Sequence, residues 1–466
     1  MDKSSLLRMA LVAASLSLGQ YAWASGYQFD MQSARAQGSA GAGSAEAVEP
    51  STIFYNPAGL TRLKGTLFSL DVIGVDPHSN FGYSEATNDL GHPVSPASTG
   101  GHYARHAVIP HTYASYRVDQ SLVLGLGVFV PFGAKIDYGD DFAGRYYGSG
   151  IDFKSVAINP SLGYQLNERH SLGIGVSAQY LNVELKKAVD MVSTAFGVCL
   201  QEGYTPSDCG TATSAYIGQP DAKGSIKGRD WGIGFNLGYL FTPSEDTRIG
   251  LAYRSSIKHT LEGDANFSVP DGLPGGSASP LNAGIQMALA NGKTSVELAT
   301  PETISLAGYH RLTERWAIMG DVTWSRQSRL QNLEINIPTA QLPDRKSVSK
   351  FAWDDSWRAS IGVNYYLNEQ WILRCGYMYD QKPVSDSAYA MTILPDADRQ
   401  MYAFGATYQI NKHHRLDFAY TYLQLKTASV DKIDDDDDPS NGSPGTLKGY
   451  YHTHFNLFGL GYSYQF

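Results

Sequence analysis

The stretch that decides the fold is WGIGFNLGYLF, at residues 231–241. Its apolar residues alternate with glycine and asparagine, so an extended chain would have one apolar face and one small or polar face. The same pattern returns at residues 357–365, 402–410 and 458–466. A soluble β-sandwich also alternates, but its outward face would be charged. This alternation is typical of transmembrane β-barrel strands, which meet lipid on one side and the lumen on the other.

The composition favours the same class of protein. Only 17% of the residues are charged and 12% are aromatic, with 30 tyrosines and 48 glycines. Soluble domains average about a quarter charged residues. Beyond the N-terminus no run reaches the roughly 18 apolar residues that a membrane helix needs. The net charge of −9 argues against nucleic-acid binding, which requires a basic face.

The pattern predicts an all-β fold, a transmembrane antiparallel β-barrel of about fourteen strands over residues 65–466. Tight turns, as at residues 118–120 and 411–412, alternate with long connections, as short periplasmic turns alternate with outer loops. The expected strands are residues 65–76, 102–117, 121–137, 151–167, 170–187, 227–241, 246–262, 300–311, 315–333, 351–367, 370–381, 398–410, 413–427 and 448–466.

Residues 1–24 fit a secretory signal peptide. Lys3 and Arg8 supply its positive region, and residues 9–18 supply a short apolar stretch. Ala-Trp-Ala then provides small residues for cleavage before Ser25. We therefore expect an exported chain.

Residues 25–64 are rich in glycine, alanine and serine and show no sustained strand or helix period. They include the apolar residues Phe29, Ile53, Phe54 and Leu60, which a solvated tail would lack. We therefore expect this segment to fold as a plug inside the barrel lumen. The alternative is a disordered periplasmic tail.

The chain contains three cysteines. Because an exported protein meets oxidising conditions, Cys199 and Cys209 are predicted to form a disulfide within one outer loop. The alternative is two free thiols. Cys375 lies on the apolar face of a predicted strand and is expected to act as a small hydrophobe.

Two outer loops are long, at residues 188–226 and 263–299. The second includes a candidate amphipathic helix with Met287 and Leu289 among its apolar residues. Apolar side chains on loops that face water would form an initial binding surface for a hydrophobic ligand, or they would pack together and close the outer end of the barrel. Both interpretations stay open.

Prolines interrupt three consecutive predicted strands, at Pro110, Pro131 and Pro160. Proline cannot donate to a β-ladder, and a closed barrel has no edge strand to accommodate it. Pro131 precedes Phe132 and Gly133 within strong strand sequence, and the glycine permits a bend. We therefore predict a kink or opening in the wall there, rather than a simple bulge.

Other chemistry is weakly indicated. No Gly-x-Ser-x-Gly elbow or metalloprotease helix motif occurs, so no enzyme, metal or cofactor site is predicted. The acidic run at residues 434–438 is interpreted as a solvated outer loop, with Ca²⁺ binding as the alternative. His452 and His454 share a strand face, where a rim contact is favoured over a metal pair.

Three stretches resemble one family, the outer-membrane long-chain fatty acid transporters (FadL-like), which also contains toluene-type hydrocarbon transporters. They are SGYQFDMQSARAQGSAGAGSAEAV after the signal, STIFYNPAGLTRL with its Asn56-Pro57-Ala58 motif, and VPFG at residues 130–133. The resemblance runs from Ser25 to Phe466.

The resemblance implies a monomeric 14-stranded barrel in the bacterial outer membrane, with the plug acting as a hatch. Its ligand would be a fatty acid, alkane or aromatic compound, and its surroundings would be outer-membrane lipid and lipopolysaccharide. Asn56, Pro57 and Ala58 would gate a path from an apolar pocket. The ligand would leave sideways through an opening at Pro131 in the kinked third strand.

In the fatty-acid members a cationic pair is expected to hold the ligand carboxylate. Lys187 occupies the region of one partner, but the other falls in residues 351–358, where acidic residues stand. This departure favours neutral hydrocarbons, although Arg358 faces inward in the pattern and could substitute. The other substrate-binding candidates are Phe54, Met287 and Leu289.

The predicted function is passive uptake of hydrophobic compounds. One alternative is a porin for polar solutes, which would need an open, charge-lined lumen. The other is a lipid-modifying enzyme, which would need a serine or aspartate beside a histidine base at the lipid boundary.

Overall fold

The computed structural model describes residues 28–337, 346–432 and 444–466, which form a closed antiparallel β-barrel of fourteen strands. This confirms the predicted fold class. The predicted signal peptide and the acidic run at residues 434–438 lie outside the described residues. No helix in the described part of the chain is long and apolar enough to span a membrane.

Eight barrel strands are continuous and six are built from two segments. In chain order they are β1 (Thr66–Ala86), β2 (Ala107–Arg117), β3 (Leu122–Phe129 and Gly133–Asp137), β4 (Gly150–Gln165), β5 (His170–Val189), β6 (Ala222–Ser244), β7 (Thr247–Arg254 and Lys258–Ser268), β8 (Gly292–Ala299 and Thr303–Arg311), β9 (Trp316–Ser325 and Asn332–Asn336), β10 (Lys346–Lys350 and Ser356–Tyr366), β11 (Trp371–Asp380), β12 (Arg399–Gln409), β13 (His414–Leu425 and Ala428–Lys432) and β14 (Leu447–Gln465).

The alternation seen in the sequence corresponds to the two faces of the wall. In β6, Ile233 is 76% exposed on the outside, whereas its neighbours Gly232 and Gly234 face inward and are buried. Each strand pairs with the next, and β1 pairs with β14 from Leu67 to Ala86, which closes the barrel. Outward apolar side chains therefore form the lipid-facing surface.

Several strands extend further at their outer ends than the sequence predicts. The first was expected to end at residue 76 but continues to Ala86, and β8 begins at Gly292 instead of residue 300. Beyond the apolar band, an outward residue meets water, so it has no need to be apolar. The backbone pairing continues there while the alternation that reveals it is lost.

Five helices of the described chain are not part of the barrel wall. They are α1 (Ala34–Gly38) and α2 (Thr52–Tyr55) in the N-terminal segment, and α3 (Met191–Gln201), α4 (Pro206–Thr213) and α5 (Pro280–Ala288) in the outer loops. Short 3₁₀ turns occur at Pro57–Arg62, Ser214–Tyr216, Gly276–Ala278, Gln327–Arg329 and Ser387–Tyr389.

The outer-loop helices pack against one another. A disulfide joins Cys199 of α3 to Cys209 of α4, and Ile285 of α5 is buried in the same apolar cluster as Val198. Met287 instead remains exposed. Part of the apolar loop surface thus serves loop packing and part faces solvent. Cys375 is free and exposed on the outward face of β11.

A charge at the middle of the lipid face should destabilise the barrel. Phe404, 60% exposed in the middle of β12, is a suitable site. We expect Phe404→Arg to lower the free energy of unfolding by about 2–4 kcal/mol in lipid vesicles, because the guanidinium must enter hydrocarbon. Gln400→Arg, near the outer end of the same face, is the control and should cost about 1 kcal/mol or less. Equal effects in urea titrations would contradict this orientation.

Candidate functional site

Residues 28–64 contact strands on opposite parts of the barrel wall. The Gln37 side-chain amide donates to the carbonyl of Leu457 on β14, at 3.1 Å. The Asn56 side-chain amide donates to the carbonyl of Tyr239 on β6, at 3.0 Å. The two strands are six steps apart around a barrel of fourteen, nearly half its circumference, so the segment reaches from one side of the wall to the other.

Buried ion pairs join this segment to the wall. Arg35 pairs with Glu46 within the segment at 2.7 Å, and Arg415 of β13 reaches Glu49 at 2.8 Å. Arg35 also lies 3.8 Å from Asp417 of β13. Although burial opposes it, the Arg35 guanidinium holds the pKa of Glu46 below its usual value. Removing one partner would leave a buried charge unpaired, so this network fixes the geometry of the segment against the wall.

The Asn56-Pro57-Ala58 motif forms a tight turn against β5 and β6. The Asn56 side-chain oxygen accepts from the Ala58 amide at 3.0 Å, which caps the 3₁₀ turn that follows. A Cβ on Gly173 would lie 2.2 Å from the Ala58 nitrogen, and one on Gly238 would lie 2.1 Å from the Asn56 side-chain oxygen. Inward glycines in the two strands therefore make room for the turn.

The wall is interrupted between β2 and β3. Their pairing runs from Arg117 opposite Val123 to Thr112 opposite Val128 and then stops. A single bridge, Ala104 opposite Ile136, resumes it in the same register beyond the break. We call the unpaired stretch, residues 107–111 of β2 facing residues 129–133, the wall gap.

Backbone and side-chain groups from inside the barrel take up hydrogen bonds at the wall gap. The Phe29 amide donates to the Pro131 carbonyl at 2.8 Å, and the Gln32 side chain donates to the Val130 carbonyl at 3.0 Å. The Phe132 amide donates to the hydroxyl of Ser155 on β4, at 2.8 Å. The start of the N-terminal segment thus substitutes for the missing strand contacts.

The three prolines differ in their effect on the ladder. Pro110 stays in register opposite Val72, and Pro160 stays in register opposite Leu126. Only at Pro131, of the three, does its own strand break into two segments. Pro131, Phe132 and Gly133, where the sequence predicts a disruption, lie in the wall gap. Pro110 lies on the facing strand of the same gap and keeps its register only toward β1, whereas Pro160 stays within an unbroken strand.

An apolar cavity lies among the outer parts of the strands; its volume is about 700 Å³ when the open solvent at its mouth is included. Its lining combines β4 to β8 with parts of β9 and β10 and the segment that follows β11; it includes Phe153, Val183, Leu261, Val296, Phe351 and Ile393. Apart from Lys227 and Thr294, the lining residues are apolar or glycine. The cavity is therefore suited to an aliphatic or aromatic group and offers almost nothing to a polar one.

A second cavity lies between the N-terminal segment and strands β6 to β11; its volume is about 610 Å³ when adjoining open solvent is included. It is polar, with Arg254, Asp321 and Arg358 on the wall side and Asp30 and Tyr55 on the segment side. Arg358 forms an ion pair with Asp30, so this predicted ligand cation is engaged by the protein itself. Phe54 also lines this cavity.

The remaining predicted substrate-binding residues lie elsewhere. Lys187 is exposed near the outer end of β5, and Met287 and Leu289 belong to the outer-loop helix region. None of the three lines either cavity. The sequence analysis missed Arg254. It could have been found from the alternation, because it is a charged residue at an inward position of a strand, next to outward Tyr253.

The two histidines at the outer rim contact other side chains. His454 stacks on His78 with ring centroids 4.6 Å apart, and His452 lies 3.2 Å from the Thr427 hydroxyl. Within the described ranges, no group of three or more histidine, cysteine or acidic residues is arranged to hold a metal ion.

A side chain at Gly173, one of the inward glycines that make room for the Asn56-Pro57-Ala58 turn, should displace that turn. We expect Gly173→Ala to increase the rate at which an added protease cleaves within residues 28–64 of the purified barrel, because the new methyl group overlaps the turn. The matched control is Gly308→Ala on β8, where nothing lies within 4 Å of the added Cβ. Equal cleavage of both variants and the parent protein would contradict this seating.

The family model for outer membrane protein transport proteins (OMPP1/FadL/TodX) matches residues 15–466. An outer membrane protein of Neisseria meningitidis serogroup B is 33% identical over 476 residues, covering 100% of both chains. A long-chain fatty acid transport protein of Escherichia coli O6:H1 is 27% identical over 428 residues, covering 91% of this chain and 92% of its own.

The fold is also found in a solved structure. The crystal structure of a Pseudomonas aeruginosa FadL homologue superposes with a TM-score of 0.81 at 21% identity, covering 94% of this chain and 99% of that one. With the match over nearly the whole sequence, this chain belongs to the OMPP1/FadL/TodX family of outer membrane transport proteins, and is thus a transporter of the outer membrane and not an enzyme.

Proposed function

We propose that this protein carries hydrophobic compounds passively across the outer membrane. The compound binds in the apolar cavity, passes the N-terminal segment, which acts as a hatch, and enters the bilayer through the wall gap. The observation that carries this proposal is the coincidence of two features at one place. The strand ladder is broken between β2 and β3, and the start of the hatch lies directly behind the break.

The apolar cavity supplies the driving force for uptake. Moving a ligand from water into such a cavity gains roughly 0.8 kcal/mol for each buried methylene group. An eight-carbon segment would therefore gain about 6 kcal/mol by that estimate, so no energy source is needed. The relatives named for fatty acid transport support a ligand of this class.

The hatch is held unequally along its length. The middle of the segment is fixed by buried ion pairs of Arg35, Glu46 and Glu49. The first described residues contact the wall gap through neutral hydrogen bonds, such as that from Phe29 to Pro131. Neutral hydrogen bonds are worth less than charge-assisted ones. A movement of residues 28–32 that uncovers the gap would therefore break one ion pair, Asp30 with Arg358, while the more strongly paired middle of the segment stays seated.

Two further features belong to the proposal. Each chain closes its own barrel through β1 and β14, so a monomer suffices for transport. Release into the bilayer keeps the compound out of water and makes the surrounding outer-membrane lipid its immediate acceptor.

Closing the wall gap should block uptake. The register on both sides of the gap would set Ile109 opposite Pro131, so the double variant Ile109→Cys with Pro131→Cys can be cross-linked across it. We expect oxidation to reduce uptake of radiolabelled oleate by cells to near background, and a reductant to restore it. The control pair is Thr112→Cys with Val128→Cys, which are already opposite each other in the intact ladder. Full cross-linking of the first pair with unchanged uptake would refute lateral release.

A charge in the apolar cavity should weaken ligand binding. Val296 is buried in its lining, and Val296→Asp places a carboxylate where the ligand chain would lie. We expect the affinity of the purified protein for oleate and for a neutral alkane to fall about tenfold or more, because either the charge or the ligand must stay hydrated. Val296→Leu, which keeps the site apolar, should bind nearly as the parent does. Equal affinities of the two variants in calorimetric titrations would place the ligand elsewhere.

A further inference from the structure

We propose that the outer ends of β7, β8 and β9 carry a binding site for lipopolysaccharide on the lipid-facing side of the wall, where Arg326 and Arg329 hold a phosphate group of lipid A. The site consists of four side chains that contact one another, Tyr253, Glu302, Arg326 and Arg329, which we call the rim cluster. This inference concerns the lipid around the barrel and does not rest on the proposed transport function.

The rim cluster lies where the apolar surface of the barrel ends. In β9 the outward positions from Trp316 to Trp324 are apolar or glycine, and Arg326 is the next outward residue. Trp324 stands opposite Ile304 of β8 and Trp357 of β10. Because tryptophan side chains gather at the interface between hydrocarbon and headgroups, a residue one step further out meets the headgroups. In the outer leaflet of the outer membrane those headgroups belong to lipopolysaccharide.

Two cations of the rim cluster share one carboxylate. Arg326 Nη1 lies 3.0 Å from Glu302 Oε1, and Arg329 Nη2 lies 3.0 Å from Glu302 Oε2. The Tyr253 hydroxyl donates to the same Oε2 at 3.2 Å. The arginine side chains are 49% and 31% exposed, whereas that of Glu302 is 14% exposed. The rim cluster therefore carries one net positive charge, and its cationic groups face outward.

Other ion pairs at the outer ends of the strands are one to one. Lys293 lies 2.7 Å from Asp264, and Lys426 lies 3.0 Å from Asp398. The charges of such a pair cancel, so it offers little to an anion. The excess of one cation distinguishes the rim cluster from these pairs and makes it complementary to a phosphate.

The two arginines also keep most of their hydrogen-bonding capacity. Among the residues that the structure describes, each guanidinium donates only to Glu302. A guanidinium has five N–H donors in a fixed fork, and that fork matches two oxygens of a phosphate. Glu302 holds both guanidinium groups in place, so less side-chain freedom is lost when a phosphate binds between them.

Lipid A fits the surface below the rim cluster as well. It presents phosphate groups on a sugar backbone directly above several acyl chains. Those chains would lie along outward apolar side chains of β8, such as Ile304 and Leu306, while a phosphate reaches the rim cluster. β8 is six steps around the barrel from β2, nearly half the circumference away from the wall gap. Lipopolysaccharide held at this place therefore leaves the gap uncovered.

The test measures binding of lipid A, and of lipid A from which both phosphates have been removed, to the full-length protein by native mass spectrometry in detergent. We expect the double variant Arg326→Gln with Arg329→Gln to bind lipid A about tenfold or more weakly than the parent, and the dephosphorylated lipid equally well. Glu302→Gln should strengthen lipid A binding, because it removes the competing negative charge. The matched control is Arg315→Gln, which removes an exposed positive charge from the periplasmic turn between β8 and β9.

Three results would overturn the inference. They are parent-like lipid A affinity in the double variant, an equal loss of affinity for the dephosphorylated lipid, and equal affinity of the parent for lipid A and for phosphatidylglycerol. The last result would identify a contact with any anionic lipid. Heat-dependent migration on gels confirms that each variant is a folded barrel. Oleate uptake by the double variant should equal that of the parent, so a failure of this inference leaves the proposed function intact.

Discussion

The requirement that the backbone of a membrane barrel be fully hydrogen-bonded governs this structure. Lipid offers no partner for a free N–H or carbonyl, so a strand can leave its neighbour only where other groups replace it. At the wall gap the replacements are the Phe29 amide, the Gln32 side chain and the Ser155 hydroxyl. The break in the wall and the position of the N-terminal segment therefore depend on each other, since the segment donates the hydrogen bonds that the carbonyls at the break would otherwise lack.

The interior divides its polar and apolar chemistry between two regions. The outer cavity is almost entirely apolar and would accept a hydrocarbon chain of any kind. The deeper cavity is polar, and among the described residues that line it Asp30 and Arg358 pair across the interface between hatch and wall, whereas Arg254 and Asp321 form no ion pair.

Charge also explains how a segment without strong secondary structure keeps a defined position. Residues 28–64 contain only short helical turns, yet Arg35, Glu46 and Glu49 are buried and paired. In a low-dielectric lumen, ion pairs with additional hydrogen bonds fix geometry more than they add net stability. Inward glycines such as Gly173 and Gly238 complete the fit, because a side chain at either position would collide with the Asn56-Pro57-Ala58 turn.

The sequence by itself determined the barrel, because lipid and lumen impose opposite demands on successive residues and leave a period of two that can be read directly. It also predicted a disruption at Pro131, since proline lacks the donor that a ladder needs, and the pairing of β2 with β3 stops at that level. Only the tertiary structure decided which residues share a cavity. Val183 and Val296 line the same cavity although they lie more than a hundred positions apart. Arg358, a predicted ligand cation, instead forms an ion pair with Asp30. The fold also decided how far the strands extend beyond the membrane, because their pairing partners come from distant parts of the chain and leave no local pattern. For the same reason, only the fold shows that Arg254 forms no ion pair with a carboxylate of the described chain.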